Sequence, residues 1–346
     1  MLSNCCIYAQ EVCSLATLDD IAQELGLSKG TVSKALNGAK DISKKTRQIV
    51  LEKAVELGYS RAARSSDAPR VAVFVINMEY TKVDDFGYDI IMGFRQMAEP
   101  AGFQVDVIPL TTQIQTNFRY DEYMVRHNYV GAAFLGMCLL DPWIKEFPTC
   151  KTPTVLYDND AGYNPKVASV GVNSIEGIEL AVNYLRALGH QKIGYLSSAL
   201  DSYVYLQRYD AFIQVMTRLG LPADETVMGN SFLVSKCISE HLPRLLKNGC
   251  TAIICSHDVL AHSAIIHCSE LGLRIPRDIS IMGFDDIPLC RFTSPALTTI
   301  RQNRLALGKS SFFALYGHLH DVPLSTHLLH AELIERDSCS ALTADM

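Results

Sequence analysis

The chain has 346 residues, of which 48% are apolar and 20% charged, and its formal net charge is −6. This composition predicts globular domains with sizeable cores and excludes a chain dominated by disorder. Because no apolar run of about eighteen residues occurs and residues 1–16 lack a basic start followed by an apolar stretch, neither a spanning helix nor a signal peptide is predicted, and we expect a cytoplasmic protein with no membrane partner.

Residues 1–16 match no recognisable element, and we expect a disordered extension there. The next segment, TLDDIAQELG, places apolar residues at helical spacing, and Thr17 stands three residues before Asp20 in the pattern of a capping box. Gly26 supplies a residue that stops this helix. Ser28 and Ser43 are the expected N-caps of a second and a third helix.

Two short helices joined at a glycine indicate a helix-turn-helix domain over residues 17–60, whose second helix enters the major groove of DNA. Short hydroxyl side chains can contact phosphates and base edges, and lysines can reach phosphate or guanine. The alternative is a solvated surface helix in a three-helix cap. The candidate DNA contacts are Thr17, Ser28, Lys29, Gly30, Thr31, Ser33, Lys34, Asn37, Lys40, Ser43, Thr46, Arg61 and Arg64.

The charge distribution supports contact between this domain and a polyanion. Residues 17–64 carry nine Lys or Arg against six acids, a balance of +3, so the remaining chain carries −9. A small basic domain attached to an acidic body is typical of a protein that meets nucleic acid through that domain alone.

Residues 17–59 resemble, without gaps, the DNA-binding domain of the LacI/GalR family of bacterial transcription regulators, and the segment TVSKALN over residues 31–37 is the most specific match. In that family the residues matching Lys29, Gly30 and Lys34 face the operator bases. The resemblance therefore implies double-stranded operator DNA as a partner, and it makes Gly30 a reading position without a side chain.

The body, residues 71–338, alternates strand-like apolar runs with helical segments, which predicts parallel sheets covered by helices. Its length favours two lobes, and segments such as GLRIPRDISIMGFDDIPL resemble the family's effector domain, which looks like a type I periplasmic binding protein. The expected fold class is an N-terminal all-α helix-turn-helix domain plus this two-lobed α/β domain. The resemblance implies one lobe over residues 71–165 and 300–330, the other over 166–295, and a tail over 339–346.

Polar residues at strand ends are the candidate effector contacts: Asp158, Arg208, His257, Asp258 and Asp285, with the aromatic Phe232 nearby. An arginine fork and several carboxylates suit the vicinal hydroxyls of a sugar, and the family has effector contacts at matching positions. Structural alternatives remain open.

Three of those alternatives are specific. Arg208 could form an interlobe salt bridge, Asp258 could cap the following helix, and Asp286 could close a turn. His257 stands where the family commonly has Asn, and Phe232 stands one residue past the family's usual aromatic, so the sequence leaves the ligand open.

No metal or cofactor is predicted. His257, His262 and His267 are spaced by five, which places them on different faces of a helix, and the eleven cysteines contain no CxxC pair.

The linker over residues 61–70 departs from the family, which has a hinge helix ending Ala-Arg-x-Leu whose leucine enters the minor groove. No leucine occurs there, although Arg61 and Arg64 can still contact phosphate. The leading hypothesis is a dimeric transcriptional regulator, a repressor controlled by a small-molecule effector, most simply a sugar or related metabolite, bound between the two lobes. One alternative is a solute-binding protein without a DNA-binding role. Another is an enzyme, which is disfavoured because no catalytic motif stands out.

Overall fold

The head of the protein is built from three helices whose caps follow from the local sequence. A computed structural model describes residues 16–59 and 68–342. The head helices are α1 (Leu18–Leu25), α2 (Lys29–Leu36) and α3 (Lys44–Glu56). Thr17 and Asp20 form the expected capping box, and Ser28 and Ser43 cap α2 and α3, which confirms the three predicted helix starts. Ile21, Val32, Val50 and Ala54 are fully buried between the helices.

The body alternates strands and helices, as its apolar pattern predicts. Its strands are β1 (Arg70–Val75), β2 (Gln104–Pro109), β3 (Tyr129–Leu135), β4 (Thr154–Tyr157), β5 (Val167–Val172), β6 (Ile193–Ser197), β7 (Met228–Asn230), β8 (Ala252–Cys255), β9 (Ser280–Asp285), β10 (Thr298–Arg301), β11 (Thr326–Leu329) and β12 (Glu332–Ile334). Its helices are α4 (Phe86–Ala98), α5 (Thr112–Asn117), α6 (Tyr120–His127), α7 (Ser174–Ala187), α8 (Tyr203–Arg218), α9 (Val234–Lys247), α10 (Asp258–Glu270) and α11 (Arg304–Leu319).

Two six-stranded sheets organise these elements. The first has the order β11-β5-β4-β3-β1-β2 and the second β12-β10-β9-β8-β6-β7. Strands β1 to β5 pair in parallel in the first sheet and β6 to β10 in the second, where β12 is antiparallel to β10. Parallel strands need crossover helices, and each sheet packs on a core of its own, around Phe74 and Trp143 in one and Phe212 and Phe284 in the other.

The chain divides into two compact units whose boundaries differ from those expected. The described parts of the first unit are residues 16–59, 68–78, 90–170 and 308–327, and those of the second are 79–89, 171–307 and 328–342. β5 pairs with β4 from Val167 onward and so belongs to the first sheet. The boundary between the units therefore falls within this strand, after residue 170, and not before it at residue 166. β10 belongs to the second sheet, so the expectation that residues 300–330 all belong to the first lobe is wrong.

The expected tail from residue 339 is packed onto the second unit as far as it is described. Ser340 accepts a hydrogen bond through its carbonyl from the His190 ring at 3.1 Å, and the Leu342 amide donates to the Leu188 carbonyl at 2.8 Å. The last described residues are therefore part of the fold.

Within the described ranges, every helix is either too short or too polar to cross a bilayer. The same residues bring no three His, Cys, Asp or Glu side chains into an arrangement suited to a metal ion.

Candidate nucleic-acid interface and ligand site

Helix α2 is anchored by its apolar side and presents a polar side to solvent. Val32 and Ala35 are 0% and 1% exposed, which fixes the helix on the head core. Most of the candidate contacts on this helix and beside it are exposed, with Thr31 and Ser33 half-buried. The exposed ones are Ser28, Lys29, Gly30, Lys34, Asn37 and Lys40.

The candidate hydroxyl groups also hold the helix starts together. Ser28 Oγ accepts from the Thr31 amide at 3.1 Å and lies 2.9 Å from Thr31 Oγ1. Ser43 and Thr46 repeat this geometry at 3.0 and 2.8 Å. Thr17 Oγ1 accepts from the Asp20 amide at 3.0 Å. The caps therefore hold these side chains in fixed positions at the helix N-termini, where backbone N–H groups favour phosphate.

Both lysines of α2 are paired with acids that lie outside the helix. Lys29 Nζ is 2.7 Å from Asp19 Oδ2, and Lys34 Nζ is 2.6 Å from Asp41 Oδ2. The hydrogen bond from Lys34 lowers the pKa of Asp41. The sequence did not predict these two ion pairs, because Asp19 and Asp41 contributed only to the charge balance of the domain.

Gly30 and Asn37 occupy two different environments along α2. A Cβ at Gly30 would meet nothing closer than Ser28 Oγ at 3.8 Å, so this expected reading position is sterically open. Asn37 ends the helix, and its Nδ2 donates to Ser33 Oγ at 3.4 Å. Arg61 and Arg64 lie outside the described residues.

The second sheet brings several polar residues to one edge. β6, β8, β9 and β10 are parallel, and their register pairs Leu196 with Cys255 and Arg301 with Asp285. The residues that end or follow these strands therefore emerge at the same carboxyl edge, the usual ligand position in such sheets. They are Ser198, Ser256, His257, Asp285 and Gln302.

Arg208 is the buried centre of this edge. It lies within α8, which begins at Tyr203, and not at the end of a strand. Its Nη1 donates to the Ser256 carbonyl at 2.5 Å and pairs with Asp285 Oδ1 at 3.1 Å, while the guanidinium carbon lies 3.8 Å from the centre of the Phe284 ring. Arg208 is 2% exposed, and its ion pair with Asp285 lies within the second unit.

Asp285 is held in an unusual conformation. Its φ of 113° is rarely adopted by residues other than glycine, and such strain is most common at functional sites. Gln302 Nε2 donates to its Oδ1 at 2.5 Å. Burial raises the pKa of Asp285, although the charge of Arg208 acts in the opposite direction.

His257, and not Asp258, caps α10. Its Nδ1 accepts from the Leu260 amide at 3.2 Å, so the neutral ring carries its proton on Nε2, which donates to Ser198 Oγ at 2.8 Å. The Tyr205 ring lies 5.3 Å from the imidazole, centre to centre. Burial, with the nearby charge of Arg208, lowers the pKa of His257 to about 4.

Asp258 uses both carboxylate oxygens within the fold. Thr299 Oγ1 donates to Oδ1 at 2.6 Å, and the Ile287 amide donates to Oδ2 at 2.9 Å. Burial and the nearby Asp285 raise the pKa of Asp258 to about 7. Its carboxylate therefore braces β10 and the loop after β9, and the helix-cap hypothesis for it is wrong.

The remaining residues singled out from the sequence follow the strands β4, β7 and β9. Asp158 follows β4 in the first unit, is half-buried, and has a φ of 46°. Phe232 follows the edge strand β7, and its side chain is 76% exposed. Asp286 also has a positive φ, of 51°, and pairs with Arg301 and Arg336 at 2.7 and 2.6 Å.

Ser198 and Gln302 were missed by the sequence analysis. Both follow parallel strands, so the strand-end argument that selected Asp158 and Asp285 was sufficient to find them. They were not selected because the search at strand ends favoured charged side chains, and serine and glutamine are neutral.

A three-helix head with an exposed polar second helix, followed by two parallel-sheet units with a polar strand edge, defines a DNA-binding transcriptional regulator. Residues 17–62 match the family model "Bacterial regulatory proteins, lacI family", and residues 182–339 match "Periplasmic binding protein-like domain". The chain belongs to the LacI family.

A sequence relative covers nearly the whole chain, and solved structures share its fold over a similar extent. The HTH-type transcriptional repressor CytR of Escherichia coli (strain K12) is 28% identical over an alignment of 337 residues, and the alignment covers 94% of this chain and 97% of CytR. A CelR–cellobiose complex aligns with a TM-score of 0.68 at 21% identity, covering 93% of this chain and 99% of CelR. A Lac repressor dimer bound to operator and the anti-inducer ONPF aligns with a TM-score of 0.63 at 24% identity, covering 94% of this chain and 99% of the Lac repressor chain. Because the CytR match includes the head, it favours a regulator over a solute-binding protein without DNA-binding role.

Proposed function

We propose that this protein is a cytoplasmic repressor that binds operator DNA as a homodimer, with α2 of each head in the major groove. The observation that carries the proposal is the two-sided character of α2, in which Val32 and Ala35 are buried while the lysines are exposed. A helix anchored in this way can present side chains to base edges without losing its position on the core. CytR is named a repressor, and one Lac repressor structure is a dimer on operator, which supports the sign and the assembly.

The head residues divide by their position into readers and backbone contacts. We assign base reading to Lys29 and Lys34, with Gly30 as an open position between them. The remaining contacts position the head on phosphate. They are Thr17, Ser28, Thr31, Ser33, Asn37, Lys40, Ser43, Thr46 and, from the sequence alone, Arg61 and Arg64.

The effector is proposed to be a carbohydrate or related metabolite held at the carboxyl edge of the second sheet. Arg208 and Asp285 fix each other there, and Ser198 offers a hydroxyl whose partner His257 is itself held by the α10 cap. Preorganised donors and acceptors of this kind suit hydroxyl groups. Support comes from CelR, whose structure contains cellobiose. Asp158 and Phe232 remain proposed contacts, whereas Asp258 would act by bracing the edge.

An effector regulates only if it binds one conformation of the protein more tightly than another. We propose that ligand binding changes the spacing of the two heads and so the affinity for operator. No catalytic role is assigned to the Asp and His residues of the edge, because their contacts serve to fix one another.

The DNA-binding proposal is tested by selecting duplexes from a random pool with the full-length protein. Lys34→Ala should change which sequences are selected, whereas Lys44→Ala, at the start of α3, should weaken binding to all duplexes alike and reduce the salt dependence. Identical profiles for the two variants would overturn the assignment of Lys34 as a reader. If the wild-type protein binds no selected duplex more tightly than random duplex, the proposed function is overturned.

The effector proposal is tested by thermal unfolding in the presence of sugars, polyols and nucleosides. A ligand at a hundred times its dissociation constant adds about 2.7 kcal/mol to the free energy of unfolding. A carbohydrate that stabilises the wild type but not Asp285→Asn is the expected result. Stabilisation by nucleosides alone would exclude the carbohydrate class.

A further inference from the structure

We infer that Asp41 determines DNA specificity by holding Lys34 away from phosphate until the correct bases are present. The inference rests on the proposed function, because it concerns how a reading lysine behaves on DNA that is not operator. It assigns a role in recognition to an acid that cannot itself attract the nucleic acid.

The geometry separates two kinds of lysine in the head. Lys34 Nζ lies 2.6 Å from Asp41 Oδ2, in the segment between α2 and α3, and Lys29 Nζ lies 2.7 Å from Asp19 Oδ2 on α1. In contrast, Lys40 and Lys44 form no ion pair with any residue of the described ranges. The two proposed readers are therefore paired, whereas Lys40, a proposed phosphate contact, and Lys44, the first residue of α3, are not.

The pairing affects binding to random and to selected DNA differently. Affinity for random DNA comes from phosphates that are neutralised by basic side chains, each with release of counterions. Lys34 adds little to this affinity while its charge is balanced by Asp41, whose own carboxylate is repelled by the backbone. At the correct site the acceptors of guanine replace Asp41, and an exposed ion pair costs little to break.

The side chains are exposed enough for this exchange to occur. Lys34 is 58% and Asp41 57% exposed, so neither is held by packing. Substitution of Asp41 should therefore leave the fold of the head intact. Glu56 offers a matched control, since it is also an exposed acid of the head, paired at 2.7 Å with a lysine, Lys53, outside the reading helix.

The test compares Asp41→Asn with Glu56→Gln in the full-length protein, on a random-sequence duplex and on a duplex selected by the wild type. Both variants change the net charge equally. We expect Asp41→Asn to steepen the plot of log affinity against log salt on the random duplex by roughly 0.9 per bound head relative to Glu56→Gln. We also expect the ratio of selected to random affinity to fall about two- to fivefold.

A double-mutant cycle shows whether Lys34 carries the effect. In the Lys34→Ala background, Asp41→Asn should no longer change the slope on random duplex more than Glu56→Gln does. Equal slopes for the two acid variants, or a difference that persists without Lys34, would overturn the inference while leaving operator binding in place. Absence of any wild-type preference for the selected duplex would instead overturn the proposed function.

Discussion

Arg208 and Asp285 form a buried ion pair with Nη1 and Oδ1 separated by 3.1 Å, and they come from α8 and from the end of β9. The Asp285 carboxylate is also bound by Gln302, and the guanidinium lies on Phe284. Breaking a buried pair by removing one charge is costly because the other charge remains buried. This pair therefore fixes both proposed ligand groups, and removal of one of the two charges should destabilise the second unit.

Asp285→Asn is expected to lower the free energy of unfolding by about 3 kcal/mol, because it leaves the Arg208 charge without its carboxylate. Denaturant unfolding of the full-length protein at neutral pH measures the change. Glu270→Gln is the matched control, since Glu270 is an exposed acid whose partner is His267. A loss no larger than that of the control would show that the pair is not a stabilising one.

His257→Asn is expected to remove a loss of stability in acid. Asn retains a capping acceptor for α10 but cannot titrate. The ordinary pKa of histidine is about 6.5, and that of His257 is lowered to about 4 in the fold. As pH falls from 6.5 to 4, His257 becomes protonated in the unfolded chain but stays neutral in the folded one. The free energy of unfolding of the wild type should therefore fall by up to about 3 kcal/mol relative to the variant.

The measurement is the difference in unfolding free energy between wild type and His257→Asn across this pH range. The difference is needed because Asp258 acts in the opposite direction. Because the pKa of Asp258 is raised to about 7 in the fold, folding becomes less favourable as pH rises from about 4 to 7. His330→Asn, at an exposed histidine paired with Glu176, serves as a control. A difference curve that is flat for His257→Asn would contradict the prediction.

The linker sequence predicts a smaller bend in the operator than that made by relatives with a hinge leucine. Residues 60–70 contain no leucine, and an apolar wedge between base steps is what kinks the duplex in such complexes. The bend of a selected duplex, measured by fluorescence energy transfer between its ends, should be smaller than that produced by a relative carrying Ala-Arg-x-Leu on its own operator. An equal bend would show that other residues replace the wedge.

The parts of the fold that depend on near neighbours were predictable from sequence. The capping box of Thr17 and Asp20 joins residues three apart, and the caps by Ser28 and Ser43 are equally local. Strand-end residues such as Asp285 were found because parallel strands end at one edge. Local chemistry and sheet geometry sufficed for these features.

Features that depend on partners distant in the chain were not predictable. The strand β5 reads as the start of a new series, but its pairing with β4 is decided by the sheet that it completes. His257 takes the capping position that suits Asp258 by residue type, since Asp258 is engaged by Thr299, 41 residues later. The sequence contains both residues of each contact without indicating that they meet.

Gly30→Ala is expected to stabilise α2 and to alter base preference, whereas Gly38→Ala should destabilise the head. A methyl group at Gly30 meets open space, and alanine favours a helix by up to about 1 kcal/mol over glycine. Gly38 has a φ of 70°, which strains any L-residue. Amide hydrogen exchange of Val32 and Ala35 in the full-length protein should slow about two- to fivefold in the first variant and accelerate in the second.

Because a methyl group on the reading face can contact thymine, Gly30→Ala should also enrich A·T pairs among selected duplexes. Unchanged selection would mean that Gly30 does not face the bases.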